Sequence, residues 1–218
     1  MKRLLCVLLA IVLACCLPCY AEEDSVGEKD VRSVDEAGDT ENEDPYYAFL
    51  VNTPEGYRSE LTYTANYYLP EYFQNTVDSQ DYEDDVYYVG DRYLVEDGLG
   101  IAPCLVDVDC YDCSDSVELS EISENDLLQS ISDKLIAETM DEGDHEVLAD
   151  YCDAINDHPM RRIILRRKSN YRVNEYVCAG TTVVAISFVF HETTMSKARM
   201  DMVNTVFDSL TFDEDLGY

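Results

Sequence analysis

Tryptophan is absent from this chain, histidine occurs three times, and 15 lysines and arginines face 46 aspartates and glutamates. Each scarcity removes a class of function. The shortage of bases leaves a formal net charge of −31. A field of that sign repels nucleic acid and anionic lipid and favours cationic partners, so nucleic-acid binding is excluded. His145, His158 and His191 fall in a loop, a turn and a strand end, and their spacing fits neither a Ser-His-Asp set nor a histidine metal site. No catalytic residue is assigned, and the chain is not read as an enzyme. The apolar run Leu4 to Leu17 is shorter than the ~20 residues of a membrane-crossing helix, so no transmembrane span is expected in the mature protein.

The same run, flanked by Lys2 and Arg3 and closed by Pro18 and Ala21, has the layout of a cleavable secretory signal over residues 1–21. A bacterial lipoprotein reading competes, in which "VLAC" ends at Cys15 and that cysteine becomes a lipidated anchor. Either way the protein leaves the cytoplasm, secreted or held at the envelope. Residues 22–44 hold eleven acids, two bases and no aromatic residue. Such a segment cannot bury enough apolar surface to offset the entropy of ordering, so it reads as a disordered acidic leader.

From Tyr46 the composition changes, and residues 45–212 have the size of one domain, with 213–218 a polar tail. "YYAFLVNTPEGY" reads as a strand ending in a turn, and "LTYTANYYL" as a half-buried strand with Leu61, Tyr63, Ala65, Tyr67 and Leu69 on one face. "VYYVGDRYLV" reads as a hairpin about Gly90-Asp91. "IAPCLVDVDC" puts Cys104, Val106, Val108 and Cys110 on one face of a strand that Pro103 assigns to an edge. Ser123 caps a helix with the stripe Leu127, Leu128, Ile131, Leu135 and Ile136. Four runs between Val147 and Phe190 make an antiparallel meander whose last strand, apolar on both faces, belongs mid-sheet. A closing helix opens at Thr194, with Met195, Met202, Val203, Val206, Phe207 and Leu210 in its core stripe. The class expected is α+β: a central antiparallel β-sheet with helices packed against it, an αβα sandwich.

This order, with "FLVNTPEGY" at one end and "VFDSLTF" at the other, resembles the PsbP-like αβα-sandwich superfamily. The resemblance spans nearly all of residues 46 to 212 and implies a non-enzymatic binding or assembly domain. It brings no functional residue with it, because that group has no common catalytic site.

Three features carry candidate chemistry. In "DVDCYDCSDSVE" (107–118), Asp107, Asp109, Asp115 and Glu118 match acidic positions of a calcium loop, but Tyr111 and Asp112 stand where another ligand and a turn glycine belong. Calcium is therefore the one cofactor considered, and a calcium-dependent extracellular module using this loop is the alternative function. Cys110 and Cys113 have redox spacing, yet the surrounding aspartates disfavour thiolates. Structural zinc through Cys104, Cys110 and Cys113 is a further reading. Disulfides closing the loop are the expected use of these cysteines in an exported chain, with Cys152 and Cys178 completing an odd set of five. Arg161, Arg162, Arg166, Arg167, Lys168 and Arg172 gather in one hairpin. Arg162, Arg166 and Lys168 are candidates for gripping an anionic ligand, against the simpler role of neutralising acidic neighbours. Eleven tyrosines fall between Tyr46 and Tyr93, as strand residues or as a surface for a sugar or protein partner. The reading is an exported, non-catalytic binding or assembly module whose partner is a protein or cell-envelope component.

Overall fold

The structure, a computed structural model, describes residues 45–95 and 104–217. The signal, the Cys15 alternative, the acidic leader and Pro103 lie outside the described residues. In chain order the elements are α1 (Pro45–Val51), β1 (Tyr57–Thr62), β2 (Ala65–Pro70), β3 (Phe73–Glu83), β4 (Val86–Val95), β5 (Cys104–Asp112), α2 (Glu124–Asp141), β6 (Glu146–Ile155), β7 (His158–Arg167), β8 (Asn170–Ala179), β9 (Thr182–His191), α3 (Lys197–Asp208) and β10 (Thr211–Phe212). A 3-10 turn, Glu192–Thr194, links β9 to α3. The class is α+β, with a seven-stranded antiparallel sheet in the order β3-β4-β5-β9-β8-β7-β6 and a small sheet in the order β1-β2-β10.

The alternation along β9 builds the layers. Val184, Ile186, Phe188 and Phe190 face one core with Val106 and Val108 of β5, Met202, Val203, Val206 and Phe207 of α3, and Ala65, Tyr67 and Leu69 of β2. Val183 and Ala185 face a second core with Ile163, Leu165, Tyr176 and Leu127, Leu128 and Ile131 of α2. A sheet strand covered on both sides is apolar on both faces, as the sequence of β9 anticipates. Ser123 caps α2 by accepting from the Asp126 amide at 3.3 Å, which satisfies one of the helix's orphan donors.

Several elements depart from the sequence reading. The segment expected to be a first strand is the helix α1, because Pro45 sits at its first position with φ already suited to a helix. "LTYTANYYL" is two strands, not one. Thr62 pairs with Ala65 across a tight turn, and Tyr63 adopts φ 56°. Leu61 is consequently 54% exposed while Ala65, Tyr67 and Leu69 are fully buried. The hairpin expected at Gly90-Asp91 lies earlier, at Asp84-Asp85, where both φ values are positive (54° and 61°), as the tight hairpin turn with matching twist requires. Residues 86–95 form one unbroken strand. The strand expected at an edge, β5, is central, paired with both β4 and β9. The last helix starts at Lys197, capped by Ser196, which leaves Met195 outside the core at 38% exposure. The polar tail 213–218 directly follows β10, which pairs with β2, and it is not wholly polar or solvated, since Leu216 is buried.

All five cysteines of the described domain are free thiols, which corrects the expected disulfide framework. For the closely spaced pair Cys110 and Cys113 the reason is the pleat. Residues three apart at the end of an extended strand project to opposite sides, so Cys110 enters the core under the small sheet and Cys113 the core under α2. Cys152 stands exposed on the edge strand β6.

Candidate functional site

Helix α2 packs chiefly over β8 and β7 and less over β9, and one of its flanks borders β4 and β5, where Val86 and Tyr111 are only partly buried. A cleft follows the boundary. Residues at successive turns of α2 (Ile131, Leu135, Glu138) and its C-cap Glu142 form its flank, since positions three and four apart share one side of a helix. The floor comes from β5. The alternation that buries Cys104, Val106, Val108 and Cys110 in one core directs Asp107, Asp109 and Tyr111 to the other face.

Cross-strand register places Tyr88 opposite Tyr111, Gly90 opposite Asp109 and Arg92 opposite Asp107. Tyr88 and Tyr111 lie side by side with ring centroids 5.4 Å apart. The Tyr88 hydroxyl donates to Asp109 Oδ1 at 2.7 Å. It passes over Gly90, where an added Cβ would stand 2.1 Å from the Tyr88 oxygen and 2.5 Å from Asp109 Oδ1. Glycine is required here by that close approach. On the far side of Asp109, β9 contributes only Ala185 and Ser187, opposite Asp109 and Asp107. Beyond them β8 presents Tyr176 and Asn174. Small residues between larger neighbours open a hollow under the helix.

Two adjoining cavities result. The outer one, about 250 Å³, runs from Asp81, Glu83 and Asp84 at the β3–β4 hairpin over Tyr88 and Tyr111 to Lys134 and Glu138. The inner one, about 170 Å³, is bounded by Asp109, Ala185, Ser187, Asn174, Tyr176 and Arg172 under α2. They share Tyr111, Leu135 and Glu138.

The electrostatics follow from burial. Asp109 is pushed up to about 6, first by burial and then by Asp107, against the Tyr88 hydrogen bond and the pull of Arg92 and Arg172. Burial also raises the Tyr88 and Tyr111 phenols and pushes Tyr176 up to about 12, so all three are neutral rings with hydrogen-bonding tips. Arg172 donates to Thr139 Oγ1 at 3.3 Å across the inner cavity. Asn174 is 1% exposed and donates from Nδ2 to the Tyr176 hydroxyl at 3.1 Å. Its Oδ1 is buried without a hydrogen-bond partner among the described residues. An acceptor left so is costly, by about 1–3 kcal/mol.

Of the four calcium candidates, only Asp109 lines the cleft. Asp107 is held by Arg92, whose Nε donates to it at 2.6 Å. Asp115 and Glu118 are exposed in the segment after β5, where Asp115 accepts from the Tyr82 hydroxyl at 3.3 Å. The physical reason they do not converge is that Cys104–Asp112 is a strand paired on both sides, so the first half of the expected loop cannot curl around an ion. Among the described residues no group of three or more His, Cys, Asp or Glu gathers into a metal-holding cluster. Burial pushes the Cys104 and Cys113 thiols up to about 11, Cys178 to about 12 and Cys110 upward as well, which opposes thiolate chemistry.

The basic candidates lie away from the cleft. Arg162 donates from Nε to Glu175 at 2.7 Å and sits 4.7 Å from the centre of the Phe207 ring. Arg166 pairs with Glu146, and Lys168 is exposed at a turn with φ 55°. Arg161 bridges Asp133 of α2 and Asp150 of β6, at 2.6 and 2.8 Å. The histidines serve local structure: His158 lies 3.2 Å from Asp215, and His191 accepts from the Thr193 amide.

Sequence reasoning met Tyr111 only as a misfit in the calcium loop and Arg172 only as a member of the basic cluster, and it did not single out Tyr88, Glu138, Thr139 or Asn174. Two signals were present. Assigning the β5 cysteines to one face assigns Asp107, Asp109 and Tyr111 to the other. Asn174-Glu175 is a polar pair inside a strand otherwise buried on both faces.

No family model matches the chain, and no curated protein matches it. Among solved structures the chain is similar to the solution structure of cyanobacterial PsbP (CyanoP) from Synechocystis sp. PCC 6803. The two share 12% identity and a TM-score of 0.49, over 74% of this chain and 95% of that one.

Proposed function

We propose that this protein is an exported, non-catalytic binding module of the bacterial cell envelope, and that the cleft beside α2 holds a positively charged partner. One observation carries the reading. The Tyr88 and Tyr111 rings pave a cavity edged by Asp81, Glu83, Asp84 and Glu138, with Lys134 as its one basic lining residue among the described residues. Aromatic faces beside carboxylates attract cations by two additive routes, the ring quadrupole and the charge. A strongly negative chain adds long-range steering. The buried, raised thiols and the structurally engaged histidines support the non-catalytic part. The signal-like residues 1–21, or Cys15 as a lipid anchor, support export. No helix among the described residues is long and apolar enough to cross a membrane.

Calorimetric titration with a peptide of alternating lysine and arginine tests the site. The expected result is binding that weakens with salt, is absent for a polyglutamate peptide and falls at least about tenfold in Glu138→Lys. An unaffected Glu138→Lys, or no binding by the wild type, overturns the reading. N-terminal analysis of protein recovered outside the cytoplasm tests export, and an intact Met1 there overturns both signal readings.

A further inference from the structure

The inner cavity holds an acceptor that nothing among the described residues satisfies. Asn174 Oδ1 is fully enclosed, and its partner amide group is already committed to Tyr176. Around it stand the Asp109, Glu138 and Glu142 carboxylates, which when ionised only accept, and hydroxyls such as Ser187 and Tyr176, which can accept as well as donate. An anion cannot satisfy Asn174 Oδ1 and would face Asp109, Glu138 and Glu142 for the single cation Arg172. A ligand rich in donors and lacking acceptors fits, and a primary ammonium has three donors and none of the latter. A guanidinium is a poorer guest. Its planar fork is wider, and Arg172 already holds one such group in this small space.

We propose that the inner cavity is a binding site for a primary ammonium group carried on a flexible aliphatic stem, the chemistry of a lysine side chain. The ammonium donates to Asn174 Oδ1 and to the Asp109 carboxylate. Its stem lies along Tyr111 and Leu135, which both cavities share. The inference rests on the cleft being the cation-binding surface, and it adds that the partner is read as lysine-bearing. The outer cavity supplies charge attraction that does not distinguish lysine from arginine, whereas the inner one does.

Three peptides of equal length and charge test this: oligolysine, oligoarginine and oligo-trimethyllysine, the last keeping charge but losing every ammonium donor. Wild-type protein is expected to bind oligolysine about tenfold or more tightly than the other two, the worth of one charge-assisted hydrogen bond. Asn174→Leu is expected to bring oligolysine to the level of oligoarginine. Ala185→Met, which fills the cavity from its floor, provides a second route to the same result if Asn174→Leu fails to fold. Equal wild-type affinities for the three peptides overturn the ammonium site and leave the cation-binding cleft standing. A lysine preference that survives Ala185→Met in a folded protein also overturns it. Failure of all three peptides to bind overturns the cleft itself, and the ammonium site with it.

Discussion

Tyr88 reaches across Gly90 to give its hydroxyl hydrogen to Asp109, joining alternate positions of one strand to the neighbouring strand at 2.7 Å. This contact sets the shape of the cleft floor. It also fixes what each of the three residues tolerates.

Gly90→Val is expected to destabilise the domain by about 1–3 kcal/mol, because the new side chain occupies the path of the Tyr88 hydroxyl and must push it out. Urea denaturation measures the loss. The companion variant Tyr88→Phe keeps the ring, so its cost is about 1 kcal/mol, the net worth of a hydrogen bond. Equal stability of Gly90→Val and the wild type refutes the close approach.

The pH dependence centres on Asp109. Its carboxyl sits at about 6 in the fold against an ordinary 3.8, with burial the main cause. Between those values the folded chain binds more protons than the unfolded chain. Stability contributed by this group is therefore full below the ordinary value and is lost as pH rises through about 6. Asp109→Asn removes the dependence and is expected to be more stable than wild type at pH 8, by on the order of 1–3 kcal/mol. Thermal melts of both proteins from pH 4 to 8 give the difference curve, and a flat difference contradicts the shift. Asp133 and Asp150 titrate in the opposite sense, held low by Arg161, and cancel in that subtraction.

Arg162 and Glu175 form a pair in which the Glu175 side chain is wholly buried. Removing one partner strands a charge, so Arg162→Met is expected to cost about 3–5 kcal/mol. Replacing both, Arg162→Met with Glu175→Leu, is expected to recover most of that loss. Chemical denaturation of the two variants decides it, and a double variant no better than the single one rules out the stranded charge as the cause.

Cysteine labelling follows burial. In the native protein Cys152 is expected to react with a thiol reagent, while Cys104, Cys110, Cys113 and Cys178 react only after unfolding. Peptide mass spectrometry after timed labelling reads each site. Rapid native labelling of Cys110 or Cys113 contradicts the core positions assigned to them.

Some elements were legible in sequence because their signal is local. The meander from Glu146 to His191 has four runs of even length separated by turn residues, and the turns at Asn156-Asp157 and Gly180 adopt the positive φ values such residues permit. The cap at Ser123 and the stripe on α2 follow from the helical period. The α1 segment misled because a short apolar run looks alike in a buried helix and a strand. Gly90 misled because a glycine next to an aspartate signals a turn, while here it serves a side chain crossing above it.

The two-fold alternation of strands and the turn of helices determined which residues share a face, and so the α+β class, the two-sided burial of β9 and the acidic-aromatic side of β5. Which faces meet was decided only by tertiary structure. Pairing β5 with β9, more than 70 positions along the chain at Asp109 and Ala185, sets Asp109 and Asn174 on two sides of one hollow. Periodicity constrains direction within an element and is silent on neighbours, because strand order depends on the packing of the whole sheet. The cysteines show the same division: the shared face of Cys104 and Cys110 was readable from alternation, but that Cys113 joins Cys178 in the other core was decided by how β5, β9 and β8 pair.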